Sequence, residues 1–294
     1  MVVMNPLLQK LGYGPHDRVA IVHADDIGMC QSSTGILETL FDGGVLTSGS
    51  LMAPCAWFPA AAQWASAHPA ADLGVHLTLT CEWSAYRWGS LTGGRTLHDD
   101  EGYLHRTMAT VFAAVSTADA TVEIEAQYAR ALRYGMQPTH IDSHMGTMFG
   151  AATFAPYLAL SQRVQTPAFV ARLDAARLEA GGFDAATAVY QVSQLAALEA
   201  AGLPLCDHLR WLDLGNPAQN VADVQALFAT LPAGLTYVIC HPAADSPELR
   251  AIAPDWRARV RDYAVMTDPA LRVAVEAQGI HLIGWRDIQR ALRS

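Results

Sequence analysis

Short apolar runs recur along the chain, with longer amphipathic stretches between them. Eight of these runs read as strands: residues 19–23, 48–52, 74–79, 138–142, 168–173, 208–212, 236–240 and 281–285. Each is brief and mostly apolar, the pattern of parallel strands covered on both faces. Helices are predicted at 34–41, 57–67, 121–134, 154–163, 192–201, 221–229, 269–278 and 288–292. In the first helix Ile36, Leu37, Leu40 and Phe41 share a face, and Gly43-Gly44 supplies a stop. Strand–helix alternation repeated this often predicts an α/β fold, an irregular TIM-like (β/α) barrel rather than an open sheet. The fifth repeat is the weakest, because 181–184 and 185–190 fit no clean element. Two stretches read as insertions: 80–108, rich in Gly, Trp, Tyr and His, and 242–262. Loops of that length in a compact domain are usually functional or mobile. No Pro/Gly/Ser linker divides the chain, so residues 1–294 read as one domain.

Composition narrows the function classes. Apolar residues make up 51% of the 294 and charged residues 16%, enough for a sizeable core and unlike a disordered chain. A net charge of −9 with no Lys/Arg-rich run argues against nucleic acid or an anionic membrane as partner. The opening MVVMNPLLQKLGYGPHD has no long apolar core and does not read as a signal peptide. No apolar run approaches the roughly 18 residues that span a bilayer, so a cytoplasmic protein is expected. Five cysteines, with no C-x-x-C, argue against a disulfide framework or a thiolate zinc site.

The candidate chemistry lies at strand ends. The first strand closes in H-A-D-D-I-G, which places Asp25 and Asp26 side by side after a buried run, where carboxylates are costly unless paired or metal-bound. The competing reading is a helix cap. In G-V-H-L-T-L-T, His76 faces opposite to Val75 and Leu77, as a ligand or as a satisfied core histidine. In H-I-D-S-H-M-G, His140, Asp142 and His144 recur at i, i+2, i+4, one face of a strand. His241 ends the seventh strand. In a closed barrel these ends converge on one mouth. One carboxylate and two imidazoles form a common set for a catalytic divalent metal. A second carboxylate serves as general base and a further His as general acid, the equipment of metal-assisted amide hydrolysis. Trp83, Tyr86 and Trp88 are candidates for substrate binding by stacking, with plain loop packing as the alternative.

These segments, together with C-H-P-A, resemble the YdjC-like carbohydrate deacetylases, the group that includes the chitooligosaccharide deacetylases. The resemblance runs in motif order from about Val19 to the final G-W-R-D-I. It implies an irregular (β/α) barrel that removes N-acetyl groups from amino sugars and releases acetate. It also implies a divalent metal on Asp26, His76 and His144, with Asp25 as base and His241 as acid. Zinc suits two imidazoles and a carboxylate, and magnesium is the alternative. Asp142 and His140 then read as supports of the ligands or as structural groups. The chain departs from many relatives at Gly146, where they carry a second His two residues after the ligand. A small acetylated amino sugar is the expected partner. The 80–108 segment is a candidate lid or subunit contact, which leaves self-association open. Hydrolysis of a non-sugar amide or ester, and a non-catalytic sugar-binding barrel, are the alternative functions.

Overall fold

The computed structural model describes residues 5–293; residues 1–4 of the opening stretch examined for a signal peptide lie outside them. Seven parallel strands form one curled sheet: β1 Arg18–Ile27, β2 Ser48–Leu51, β3 Leu73–Leu77, β4 Ile141–Ser143, β5 His208–Trp211, β6 Gly234–Cys240 and β7 Ile280–Leu282. Their order is β4-β3-β2-β1-β6-β5, and β7 pairs with β1 at Arg18–Ala20, below the point where β2 takes over that edge. The predicted fifth strand is not a regular strand. Residues 168–171 make only single parallel bridges, Ile141↔Ala168 and Ala171↔Cys206, and these carry the ring from β4 round to the segment that leads into β5. The result is a (β/α) barrel with one thin stave.

Alternation along the strands builds the interior in layers. On β1, Ala20, Val22 and Ala24 join the large outer core beneath the helices, whereas Val19 and Ile21 join an inner cluster with Leu235, Tyr237 and Trp285. Leu7 and Leu8 from helix Pro6–Lys10 and Ile288 from helix Trp285–Arg293 join that inner cluster. Two steps further along the same parity come His23 and Asp25. The floor of the lumen is therefore apolar and its upper part polar, as the odd positions of β1 dictate. Gly74 is required on β3, because a Cβ there would lie 2.5 Å from the buried His140 ring and 2.6 Å from its carbonyl.

Two expectations about connections fail. Residues 242–262 are not an irregular insertion, since they contain helix Pro247–Ile252 and most of the first turns of helix Trp256–Met266. The unassigned 181–190 region lies in a helical hairpin, Ala175–Ala180 and Ala185–Ala200. Asp174 and Asp184 start those helices by accepting from Arg177 N and Thr187 N. The 80–108 segment is irregular, but it is stapled down. Buried Glu123 accepts from Leu91 N at 3.0 Å, Thr92 N at 3.1 Å, Thr92 Oγ1 at 2.8 Å and Gln127 Nε2 at 2.8 Å. Glu123→Ala would strand those donors. It is expected to cost about 2–4 kcal/mol, read as a lower urea midpoint at unchanged slope. No helix among the described residues is long and apolar enough to cross a membrane.

Candidate metal centre

β1 positions two adjacent carboxylates in one site by breaking its own alternation. Its register against β2 shifts between Ala24↔Gly49 and Ile27↔Leu51, a bulge, and Asp26 sits there at φ 63°. A bulge re-aims side chains at a strand end, and a left-handed non-glycine residue persists only where its surroundings hold it. Both carboxylates consequently face His76: its Nε2 lies 3.4 Å from Asp26 Oδ1 and 3.8 Å from Asp25 Oδ2. His144, at the turn that follows β4, brings Nδ1 to 3.1 Å from Asp26 Oδ1. Donor atoms of Asp26, His76 and His144 all lie within 4.8 Å of one another, and all three residues are buried.

This donor set fits a divalent cation. Asp26 Oδ1 and His76 Nε2 are buried yet have no hydrogen-bond partner; the imidazole nitrogens near Asp26 Oδ1 are close without being aligned to donate. Buried polar atoms without partners are rare unless something else satisfies them. Behind each imidazole stands a carboxylate, the usual orienting arrangement for ligating histidines. His76 Nδ1 donates to Asp142 Oδ1 at 2.8 Å, and His144 Nε2 donates to Glu82 Oε2 at 3.1 Å. Asp142 and His76 are register partners on β4 and β3, which fixes their side-by-side placement. Asp142 also accepts from Ser50 Oγ at 2.8 Å and lies 2.9 Å from His23 Nε2. Asp142→Asn is expected to weaken metal retention by roughly 10- to 100-fold, measured by chelator competition.

Electrostatics hold the site in a charged state. Burial would push the Asp26 carboxyl up, but the Arg259 guanidinium and the His144 and His76 imidazoles hold it well below the usual carboxylate range. Arg259 Nη1 donates to Asp26 Oδ2 at 2.7 Å, which leaves Oδ1 alone for a cation. Burial would depress His144, but Glu82 and Asp26 raise it to about 9. His76 is likewise raised against its burial, by Asp142 and Asp25. Burial would also raise Glu82, and His144 outweighs it, so that this carboxyl is lowered.

Asp25 and His241 flank the donor set. Asp25 Oδ2 is 3.8 Å from His241 Nε2, and Asp25 Oδ1 is 3.2 Å from His23 Nε2. The His241 side chain is 18% exposed, and Asp262 Oδ2 fixes its backbone by accepting from His241 N at 2.8 Å. Of the aromatic trio, Trp83 and Trp88 are buried and Tyr86 is half-buried. Trp83 is 6% exposed and Trp88 5%, packed edge-to-face at 6.0 Å. Arg259 covers the Trp83 ring, the Trp88 indole donates to Thr80 O, and the Tyr86 hydroxyl donates to Met29 O. Trp83 lies under Arg259 and Trp88 lies edge-on to His144, so these rings form part of the wall beside the donor set. Sequence reasoning missed Glu82, Arg259 and the supporting role of His23. Glu82, directly after the third strand's T-L-T-C, had a positional signal; Arg259 lies in a helix with no motif to mark it.

Known proteins resemble this chain in sequence and in fold. The sequence profile of the YdjC-like protein family matches residues 19–277. A carbohydrate deacetylase of Thermus thermophilus is 32% identical over 295 residues, covering 97% of this chain and 99% of that protein. A chitooligosaccharide deacetylase of Yersinia enterocolitica is 24% identical over 283 residues, 92% of this chain and 99% of that one. A crystal structure of an Enterococcus faecalis protein, provisionally named for cellobiose-phosphate cleavage, aligns with TM-score 0.75 at 22% identity over 92% of this chain and 98% of the other. That last likeness speaks to fold alone. By the extent of the profile match and of the Thermus alignment, the chain belongs to the YdjC-like protein family.

Proposed function

We propose that this protein is a metal-dependent carbohydrate N-deacetylase, which hydrolyses the acetamide of an amino sugar or short oligosaccharide to acetate and a free amine. The carrying observation is three cation donors within 4.8 Å at one barrel mouth, flanked by a second carboxylate and a partly exposed imidazole. The names of the Thermus and Yersinia relatives support a sugar substrate. In this reading Asp26, His76 and His144 hold the ion. A divalent cation supplies Lewis-acid stabilisation of negative charge and lowers the pKa of water. Zinc is favoured by the two imidazoles, and magnesium is the alternative.

The chain's own groups handle the protons. Asp25 accepts a proton from the attacking water as the new C–O bond forms. Its place between His76 and His241, each 3.8 Å away, suits that role. His241 delivers a proton to the nitrogen as the C–N bond breaks. Glu82 and Asp142 hold the two imidazoles in orientation, and Arg259 holds the Asp26 carboxylate.

The test is acetate release from N-acetylglucosamine, its short β-linked oligomers and non-sugar acetamides. Chelator-stripped protein should be inactive and zinc should restore it. Equal rates on sugar and non-sugar amides would indicate a broader amidase. Sugar binding by metal-loaded protein with no acetate released would indicate a non-catalytic barrel.

A further inference from the structure

The barrel mouth has two halves of opposite character. Carboxylates and imidazoles crowd the ends of β1, β3 and β4. Beside them lies a cavity of about 170 Å³, walled by Phe169, Ala171 and Ile239 from the sheet side and by Leu178, Phe183 and Leu195 from the 175–200 helical hairpin. Two polar side chains on its wall are already engaged: Gln191 Nε2 donates to Phe149 O at 2.6 Å, and Ser143 Oγ accepts from Met148 N at 2.9 Å. An engineered apolar cavity of about 150 Å³ stays dry and takes up benzene. A sugar hydroxyl placed among these apolar side chains would lose its hydrogen bonds to water and find few replacements.

The chamber adjoins the candidate centre through the chain itself. Ser143 and Gly146, both on its wall, bracket His144, and Ile239 near the end of β6 precedes His241, just past that strand, by two residues. Gly146 has φ +67°, and a Cβ there would point to within 3.4 Å of Phe183 Cζ. A larger side chain at this position would reach toward Phe183 and into the chamber; glycine leaves it open. Met145, the residue after His144, is 50% exposed and extends the apolar character to the rim.

We propose that the substrate carries an apolar group of about six carbons close to its scissile amide, and that this chamber holds it. The proposal rests on the metal-assisted amide hydrolysis of that reading and adds the substrate class; a longer N-acyl chain would leave as its own carboxylate in place of acetate. The group has two sources: an N-acyl chain longer than acetyl, or an apolar aglycone on an N-acetylated amino sugar.

The experiment measures free-amine release by zinc-loaded protein in two series. One is glucosamine N-acylated with two to eight carbons, and the other is N-acetylglucosamine as its methyl, butyl, hexyl and phenyl glycosides. A rise in kcat/KM of roughly 10- to 100-fold toward about six carbons is expected in one series, which identifies the source. Leu195→Trp, which fills the chamber, should erase the gain, so that long and short substrates react alike. Phe183→Ala, which enlarges it, should move the maximum to longer groups. Both variants are read as ratios between substrates on one preparation. Calorimetric binding of hexyl against methyl glycoside gives a readout independent of turnover. Level rates in both series, with hexyl binding no tighter than methyl, would overturn the proposal while leaving the deacetylase reading intact. Tighter hexyl binding without amine release from any substrate would support the chamber and sink the deacetylase reading.

Discussion

Replacing Asp25 by Asn is expected to lower kcat by roughly 10²- to 10⁴-fold, the usual worth of a positioned general base, while zinc content stays at the wild-type level. The two neighbouring carboxylates can be told apart by what surrounds them. Asp26 is 1% exposed, clasped by Arg259 through Oδ2 and approached by the His76 and His144 imidazoles at Oδ1. Asp25 is 8% exposed, and its Oδ2 looks across to His241. Asn preserves the volume and the approach of His23 but accepts no proton. The measurement pairs turnover with metal analysis on the same preparation. Full rate in the variant would remove Asp25 from the mechanism; loss of zinc along with rate would make it a ligand instead.

Raising the pH from 6.5 to 9 is expected to destabilise the metal-free protein by roughly 3 kcal/mol through His144 alone. Its pKa is about 9 in the fold, against an ordinary 6.5. A group whose pKa is higher when folded stabilises fully below its unfolded value, and that contribution drains away as the pH climbs through the folded one. His76 is raised in the same direction and should add to the effect. The counterpart on the acid side is Asp26, whose lowered pKa contributes stability that is lost as the pH falls. The two imidazole protons offset a local excess of carboxylate: Asp25, Asp26, Glu82 and Asp142 face a single guanidinium, that of Arg259. A divalent ion on the same donors exchanges about two protons for two charges, so zinc uptake near pH 7 should release about two protons. Urea melts with chelator and with zinc, at pH 6.5 and 9, check the first expectation. Titration calorimetry in two buffers of different ionisation enthalpy checks the second. A metal-free protein equally stable at both pH values would show that these imidazoles are not held protonated.

The legible part of this protein was what local chemistry prescribes. Apolar runs and their parity marked strands, and strand ends marked where His76, His144 and His241 would stand. Two adjacent aspartates after a buried run announced a site because charge there needs a partner. The thin fifth stave was overestimated, since 168–173 is as apolar as a strand but makes only single bridges. The helices inside 242–262 were hidden by short length and mixed polarity.

Other features depend on atoms that are far apart in the chain and meet only on folding. Asp26 at φ 63° has no signature in A-D-D-I-G; the bulge becomes visible only in the register of β1 against β2, which shifts between Ala24 and Ile27. Arg259 reaches Asp26 across 233 positions, and no periodicity carries information over that span. Trp83 and Trp88 look the same in sequence whether they are exposed or buried, and only the fold shows that they pack edge-to-face against each other. The chamber behind His144 is a property of the space left between a sheet and a helical hairpin. Sequence thus determined which residue types line the mouth, because side-chain parity is set by backbone geometry within a strand. Tertiary structure decided which of them touch, because contact depends on how separate elements pack.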